Sequence, residues 1–192
     1  MNATPDLNAA TDGLPVPEDD GACDHLEGAA LPPVSLSATD GSSVDLAGLP
    51  GRTVVYVYPR TGVPGQALPA GWDEIPGARG CTPQSCAFRD HHAELVEAGA
   101  DAVYGLSTQD TDYQREAAER LALPFPLLSD DALELATALR LPTFGADGAT
   151  LIRRLALVVD GGTIAKAFYP VFPPERNAAD VLDWLRANPV RA

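Results

Sequence analysis

The hydrophobic pattern of the chain changes character near residue 31. Before that point Asp, Pro, Gly and Ala dominate without periodicity, and residues 1–30 are expected to form an acidic, flexible or draped tail. Beyond it, apolar positions recur with the periods of strands and helices. Pro33-Val34-Ser35-Leu36-Ser37-Ala38 alternates like a short strand, Thr39-Asp40-Gly41 reads as a turn, and Ser43-Val44-Asp45-Leu46 as the partner strand. Thr53–Tyr58 is β-branched and aromatic, and apolar on both faces, which predicts a central buried strand. Ala102–Ser107 predicts a second one, and between them residues 84–98 place Phe88, Leu95 and Val96 on one helical stripe.

Asp112–Leu123 has the pattern of a charged amphipathic helix stopped before Pro124. A short strand over Phe125–Leu128 and a helix over Ala132–Leu139 follow. Leu155–Val159 and Thr163–Phe168 flank the turn Asp160-Gly161-Gly162 and predict a hairpin. Asn177–Ala187 closes the pattern as a helix whose apolar face carries Val181, Leu182, Trp184 and Leu185. This order predicts an α/β domain over residues 31–190, with a mixed central β-sheet flanked by helices and the element order of a thioredoxin-like fold.

One segment breaks the rhythm. Residues 61–79 hold Gly62, Pro64, Gly65, Pro69, Gly71, Pro76 and Gly77, with Trp72 and Ile75 as apolar members. Long irregular loops are uncommon inside compact domains and are often functional. This one joins the first buried strand to Cys81, so it is expected to border whatever site Cys81 serves, as a lid or substrate wall or as a packed spacer.

Composition narrows the partners. The chain has 192 residues, 45% of them apolar, and a formal net charge of −14. That length fits one domain with a sizeable core. A surface this acidic repels phosphate backbones and anionic lipids, so neither nucleic acid nor membrane is an expected partner. No apolar run approaches the roughly 20 residues that span a bilayer. Residues 1–22 lack the basic and apolar regions of a secretory signal. Three cysteines, Cys23, Cys81 and Cys86, are too few for a disulfide scaffold, and a cytoplasmic location is expected. In a reducing compartment a close cysteine pair points to catalysis or metal rather than to a static bridge.

The pair sits in Gly80-Cys81-Thr82-Pro83-Gln84-Ser85-Cys86-Ala87-Phe88-Arg89-Asp90, between the end of a strand and the start of a helix. A thiol there faces unpaired backbone N–H groups and the positive end of the helix dipole, which favours an anionic nucleophile. Thr82 is the expected N-cap and Pro83 the first helical residue, leaving Cys81 just outside the helix. Cys81, beside the permissive Gly80, is the expected nucleophile, and Cys86, a turn inside and more buried, the resolving thiol. On one continuous helix, residues five apart rise about 7.5 Å and turn roughly 140°, so their Cα atoms stand ~8–9 Å apart. A disulfide needs less than about 7 Å, and local unwinding is therefore required. Against this stands the reading of each cysteine as a small hydrophobe; Cys23, in the acidic segment, is read as an incidental thiol. His91 and His92 follow closely, but Cys-x4-Cys-x4-His-His is not a zinc spacing, and they read as solvated helix residues.

The run Val55-Tyr56-Val57-Tyr58-Pro59, followed by the Gly80–Asp90 motif, resembles the peroxiredoxins, and within them the peroxiredoxin Q / bacterioferritin comigratory protein group. The resemblance continues through Tyr104-Gly105-Leu106-Ser107, Phe125-Pro126-Leu127-Leu128-Ser129-Asp130 and Arg154–Asp160, covering roughly residues 31–187. It implies a thiol-dependent peroxidase of the atypical two-cysteine type acting on hydrogen peroxide or organic hydroperoxides. Cys81 is then peroxidatic and Cys86 resolving, joined in an intramolecular disulfide that thioredoxin or a similar dithiol reduces. Arg154 matches the arginine that pairs with thiolate and peroxide, and Pro59 the proline that shields the site. The resemblance implies no metal and no cofactor, and the group is often monomeric. The family places a hydroxyl three residues before the reactive cysteine, whereas this chain has Ala78 there. Thr61, just after Pro59, is the candidate to supply that hydroxyl if the insert loops out and returns. Arg79 adds positive charge near Cys81 or is a surface residue.

Two other function classes compete. A thiol–disulfide oxidoreductase would carry Trp-Cys-x-x-Cys and a proline just before the later sheet strand, and residues 149–154 read Ala-Thr-Leu-Ile-Arg-Arg instead. A metal-binding or redox-sensing module would use Cys81, Cys86 and His91.

Overall fold

The computed structural model describes residues 13–190. Seven strands form the central sheet: β1 (Ser35–Ala38), β2 (Ser43–Asp45), β3 (Arg52–Val57), β4 (Ala102–Ser107), β5 (Leu127–Ser129), β8 (Leu155–Asp160) and β9 (Thr163–Phe168). Their order across the sheet is β2-β1-β5-β4-β3-β8-β9. The pairs β3–β4 and β4–β5 are parallel, and the remaining pairs are antiparallel, so the sheet is mixed as expected. The helices are α1 (Cys81–Asp90), α2 (His92–Glu97), α3 (Thr111–Arg120), α4 (Glu134–Ala138) and α5 (Asn177–Ala187).

The central position of β3 explains its apolar run. Alternate side chains of a strand point to opposite faces. Val54, Tyr56 and Tyr58 pack with Phe88, Leu95, Val181 and Leu185 under α1, α2 and α5, while Val55 and Val57 pack with Leu106, Leu128, Leu155 and Leu157 on the other face. Tyr56 stacks on Phe88 with ring centroids 4.4 Å apart. Gly105 makes room for it, because a Cβ there would lie 2.6 Å from the Tyr56 ring. The strand that leads to the reactive loop is therefore locked from both sides.

Several expectations change. The predicted helix over 84–98 is two helices, broken at His91, whose side chain pairs with Glu94 of α2 at 3.1 Å. Val96, expected on the apolar stripe, is exposed. Helix α1 begins at Cys81 rather than at Pro83, capped by Gly80 in the left-handed region at φ 106°. A strand pair that the hydrophobic pattern did not suggest, β6 (Thr143–Ala146) with β7 (Ala149–Ile152), forms a separate hairpin. It carries Phe144 and Leu151 against Trp72, the buried anchor of the 61–79 insert.

The expected tail also needs correction. Residues 1–12 of it lie outside the described residues, but the later part of the 1–30 segment is packed. Leu26 is fully buried and Cys23 is buried beside it. Backbone bonds from Leu31 N–H to Gly162 O (2.8 Å) and from Ile164 N–H to Ala29 O (2.9 Å) bind the segment to β9, and Lys166 pairs with Glu27 at 2.6 Å. The acidic composition hid two buried side chains among residues that stay in solvent. Truncating a fully buried leucine costs ~2–5 kcal/mol through lost transfer energy and a residual cavity. Leu26→Ala is therefore expected to shift the urea midpoint strongly at constant slope; an unchanged midpoint would show that the segment contributes nothing to the fold.

Candidate active site

The end of β3 and the start of α1 bring the predicted residues together. Cys81 opens α1 and is only 4% exposed, whereas Cys86, one turn on, is half-buried. The expected burial order of the two thiols is thus reversed. Cys81 is the first helical residue, at the N-terminal end of α1, and Pro83 in that turn removes no intrahelical bond. Pro59 is buried at the end of β3. The next residue, Arg60, directs its backbone N–H at Cys81 Sγ at 3.5 Å.

Arg154 is the second group on the sulfur. It precedes β8, is 3% exposed, and donates from Nη2 to Cys81 Sγ at 3.3 Å. The same nitrogen lies 3.2, 3.1 and 3.1 Å from the carbonyl oxygens of Gly77, Ala78 and Arg79. Nη1 donates to Gln84 Oε1, and Gln84 Nε2 donates onward to Asn177 Oδ1 of α5 at 2.9 Å. None of these partners is a carboxylate. A buried guanidinium without a negative partner is costly, and Cys81 is the group beside it able to become an anion.

Thr61 is placed near the site but engaged elsewhere. Its hydroxyl donates to Gln109 Oε1 at 3.1 Å and its N–H to the same oxygen at 2.9 Å. Gln109 Nε2 and Tyr113 Oη both donate to the Thr61 carbonyl, at 3.2 and 3.1 Å. In the structure the Thr61 hydroxyl proton is directed to Gln109 and not to Cys81, so the expected replacement of the hydroxyl missing at Ala78 has no hydrogen bond to the sulfur. The Cys81 thiol donates to the Ala78 carbonyl oxygen at 3.6 Å, an acceptor that does not replace a hydroxyl donor.

The remaining candidates separate from the pair. Arg79 is exposed and pairs with Asp73 at 2.6 Å. Cys23 is held as a neutral thiol, pushed up to about 12 by burial and then by the carboxylates of Asp20, Asp19 and Asp24. Burial also pushes the Cys86 thiol up, against the opposing pull of Arg89. Among the described residues no group of three His, Cys, Asp or Glu side chains is arranged to hold a metal ion.

An open cleft of about 460 Å³ leads to Cys81, lined by the insert from Gly62 to Trp72 and by Arg60, Arg79, Thr82, Pro83 and Arg120. The insert therefore borders the site. Gln84, Gln109, Asn177 and Arg120 were not singled out from the sequence. Gln84 stood between the two cysteines as the one available clue, while Gln109 and Asn177 reach the site from distant segments and carry no local signal.

The chain is similar to known proteins. A family model described as Redoxin matches residues 26–182. A chloroplastic peroxiredoxin Q of Oryza sativa subsp. japonica is 33% identical over 165 residues, covering 84% of this chain and 67% of the relative. That of Sedum lineare is 32% identical, covering 84% of this chain and 78% of its own length. Among solved structures, peroxidoxin BcpB from Mycobacterium tuberculosis superposes with a TM-score of 0.68 at 25% identity, over 88% of this chain and 100% of that one. A PrxQ mutant from Xylella fastidiosa gives 0.67 at 20% identity, over 85% and 97%, a likeness of fold.

Gly80 is the backbone hinge on which this arrangement turns. Its φ of 106° belongs to the left-handed region, and a Cβ would lie 2.2 Å from Cγ of Pro174. Gly80→Ala is expected to cost at least ~1–3 kcal/mol in chemical denaturation. It should also lower kcat/KM for peroxide by displacing Cys81 from the Arg60 N–H and Arg154. Wild-type stability and rate in that variant would contradict the placement of Gly80.

Proposed function

This chain belongs to the redoxin family, in its peroxiredoxin Q / bacterioferritin comigratory protein-like group, and is a thiol-dependent peroxidase; from that premise we propose a cycle run by Cys81 and Cys86. The observation that carries the assignment is the buried Arg154 guanidinium 3.3 Å from Cys81 Sγ with no carboxylate among its partners. Cys81 thiolate attacks the terminal oxygen of the peroxide. The S–O bond forms as the O–O bond breaks, and the leaving alkoxide or hydroxide takes a proton to depart as alcohol or water. Arg154 Nη2 and the Arg60 N–H supply the positive field in which that charge develops, without reorganising. Sulfur is oxidised from thiolate to sulfenic acid.

Cys86 then attacks the Cys81 sulfur, the S–S bond forms, and water leaves. Both cysteines lie on α1, where the spacing of about 8–9 Å exceeds the reach of a disulfide, so α1 must open locally for this step. A dithiol reductant of the thioredoxin kind exchanges with the bridge, becoming a disulfide itself and restoring both thiols. We place the enzyme in the cytoplasm as a monomer, a reading supported by its acidic surface and its three free cysteines.

One equivalent of hydrogen peroxide is expected to produce a Cys81–Cys86 disulfide with Cys23 free, read by peptide mass spectrometry. Cys81→Ser is expected to lose peroxidase activity coupled to thioredoxin and its reductase. A bridge that contains Cys23, or full activity in that variant, would overturn the assignment.

The resolving step carries a pH signature. The attacking form of Cys86 is the thiolate, and burial holds its thiol above the ordinary value. The thiolate fraction is therefore small at neutral pH and keeps growing beyond ~8.5, the ordinary thiol value. The second phase of a stopped-flow tryptophan fluorescence trace should speed up as pH rises from about 7 to about 9. A flat profile for that phase would show that Cys86 deprotonation does not limit resolution.

A further inference from the structure

Arg154 faces a second cavity, of about 10 Å³, separate from the cleft above Cys81. Pro17, Pro76, Gly77, Phe144 and Tyr169 enclose it together with Arg154. A space of that size is at the lower limit for a single water, so its walls shut bulk solvent out. Arg154 is 3% exposed, and its Nε is buried without a hydrogen-bond partner among the described residues. A guanidinium in that state is costly, and each wall that keeps water from it sustains its demand for an anion.

One of those walls comes from the N-terminal segment. Residues 16–20 read Val-Pro-Glu-Asp-Asp and form neither helix nor strand; among them Pro17 alone is half-buried and the rest are exposed. The Pro17 ring lies against Gly77, where a Cβ would sit 3.5 Å from Pro17 Cγ and 3.6 Å from its Cβ. Gly77 is also the residue whose carbonyl oxygen stands 3.2 Å from Arg154 Nη2. Pro17 thus backs the stretch of loop that grips the guanidinium. Asp20 helps to fix the same run. Its carboxylate accepts from the Ala22 N–H at 3.1 Å and faces the Tyr169 hydroxyl, whose pKa burial and then Asp20 push up to about 12.

We propose that Pro17 is a positioning residue for the peroxide reaction: as a wall of the Arg154 pocket it keeps water off the guanidinium and leaves Cys81 as the anion that answers it. The inference rests on the peroxidase reading above and adds to it a residue from a segment outside the cysteine motif. Proline suits the place because it offers apolar bulk and brings no N–H that would need a partner in a closed wall. Pro17 acts through Arg154 and takes no part in bond making or breaking.

The test adds a carboxylate at two neighbouring positions. Pro17→Asp puts it in the wall and Val16→Asp on the exposed side, so net charge falls equally in both. Pro17→Val keeps the apolar bulk, and Pro17→Gly opens the wall without adding charge. Rate constants for Cys81 are measured with hydrogen peroxide and with iodoacetamide, on protein shown to be folded by its urea transition and with alkylation read at Cys81 by peptide mass spectrometry. Pro17→Asp is expected to lose about tenfold with both reagents and Pro17→Gly about threefold, because the thiolate that reacts with each loses the unmet charge of Arg154. Val16→Asp and Pro17→Val should stay within about twofold of the wild type, since an exposed charge is screened. Wild-type constants in both Pro17→Asp and Pro17→Gly would overturn the proposal, and so would an equal loss in Val16→Asp. A loss with peroxide alone would also overturn it, by placing Pro17 in substrate access. If Pro17→Asp does not fold, Pro17→Gly against Pro17→Val decides. Absence of peroxide turnover in the wild type would sink the peroxidase reading, while the iodoacetamide rates would still test the wall.

Discussion

A guanidinium buried without a carboxylate organises this molecule. Arg154 places its Nη2 among the carbonyls of Gly77, Ala78 and Arg79 and the sulfur of Cys81. Carbonyl dipoles solvate a cation but do not neutralise it, so the site retains an unmet demand for negative charge. A thiolate on Cys81 meets that demand. The same nitrogen fixes the last residues of the insert before Gly80, and through Gln84 and Asn177 the network extends to α5. The contacts that stabilise the anion and those that shape the loop are therefore one set, and neither can be altered alone.

The insert is pinned at both ends by this logic. At its exit Arg154 holds the carbonyls of residues 77–79; at its entry Gln109 and Tyr113 hold Thr61. Trp72 anchors the middle against the β6–β7 hairpin. What lies between these anchors, around Leu68, is free to face solvent and to shape the cleft. The pinning also explains how the site tolerates an alanine at position 78. The entry clasp delivers the Arg60 N–H to the sulfur and Arg154 its Nη2, so the donors around Cys81 are a backbone amide and a guanidinium with no hydroxyl among the hydrogen bonds to the sulfur.

The parts legible in the sequence were those whose cause is local. Strand β3 read as buried because both of its faces are covered, and α5 could be bounded to the residue because its apolar stripe and its polar flanks coincide. The cysteine motif with its flanks was legible for the same reason. Misreadings arose where a distant residue decides. The start of α1 is set by Gly80 against Pro174, which lies more than ninety positions away in the chain. The Thr61 hydroxyl is taken by Gln109, 48 residues on. The segment around Leu26 was hidden by acidic composition, although one fully buried leucine and a few backbone bonds to β9 suffice to dock it. The β6–β7 hairpin did carry a local signal, the turn Asp147-Gly148, which its half-exposed strands made easy to pass over.

The resolving step follows from the same anchors. Between the two cysteines, Gln84 is tied to Arg154 and Asn177, and just beyond Cys86 the Phe88 ring is stacked on Tyr56. Helix α1 is thus held on either side of the short stretch that opens in the proposed cycle. In the proposed cycle, oxidation converts the Cys81 thiolate into a neutral sulfenic acid, which removes the anion that compensated Arg154. The guanidinium then faces only dipoles, and its interaction with the first turn of α1 weakens at the stage when that turn has to open. Cys86, half-buried one turn along, lies in the segment this loosening frees. The charge that promotes the attack is, by its disappearance, also what permits the rearrangement that follows.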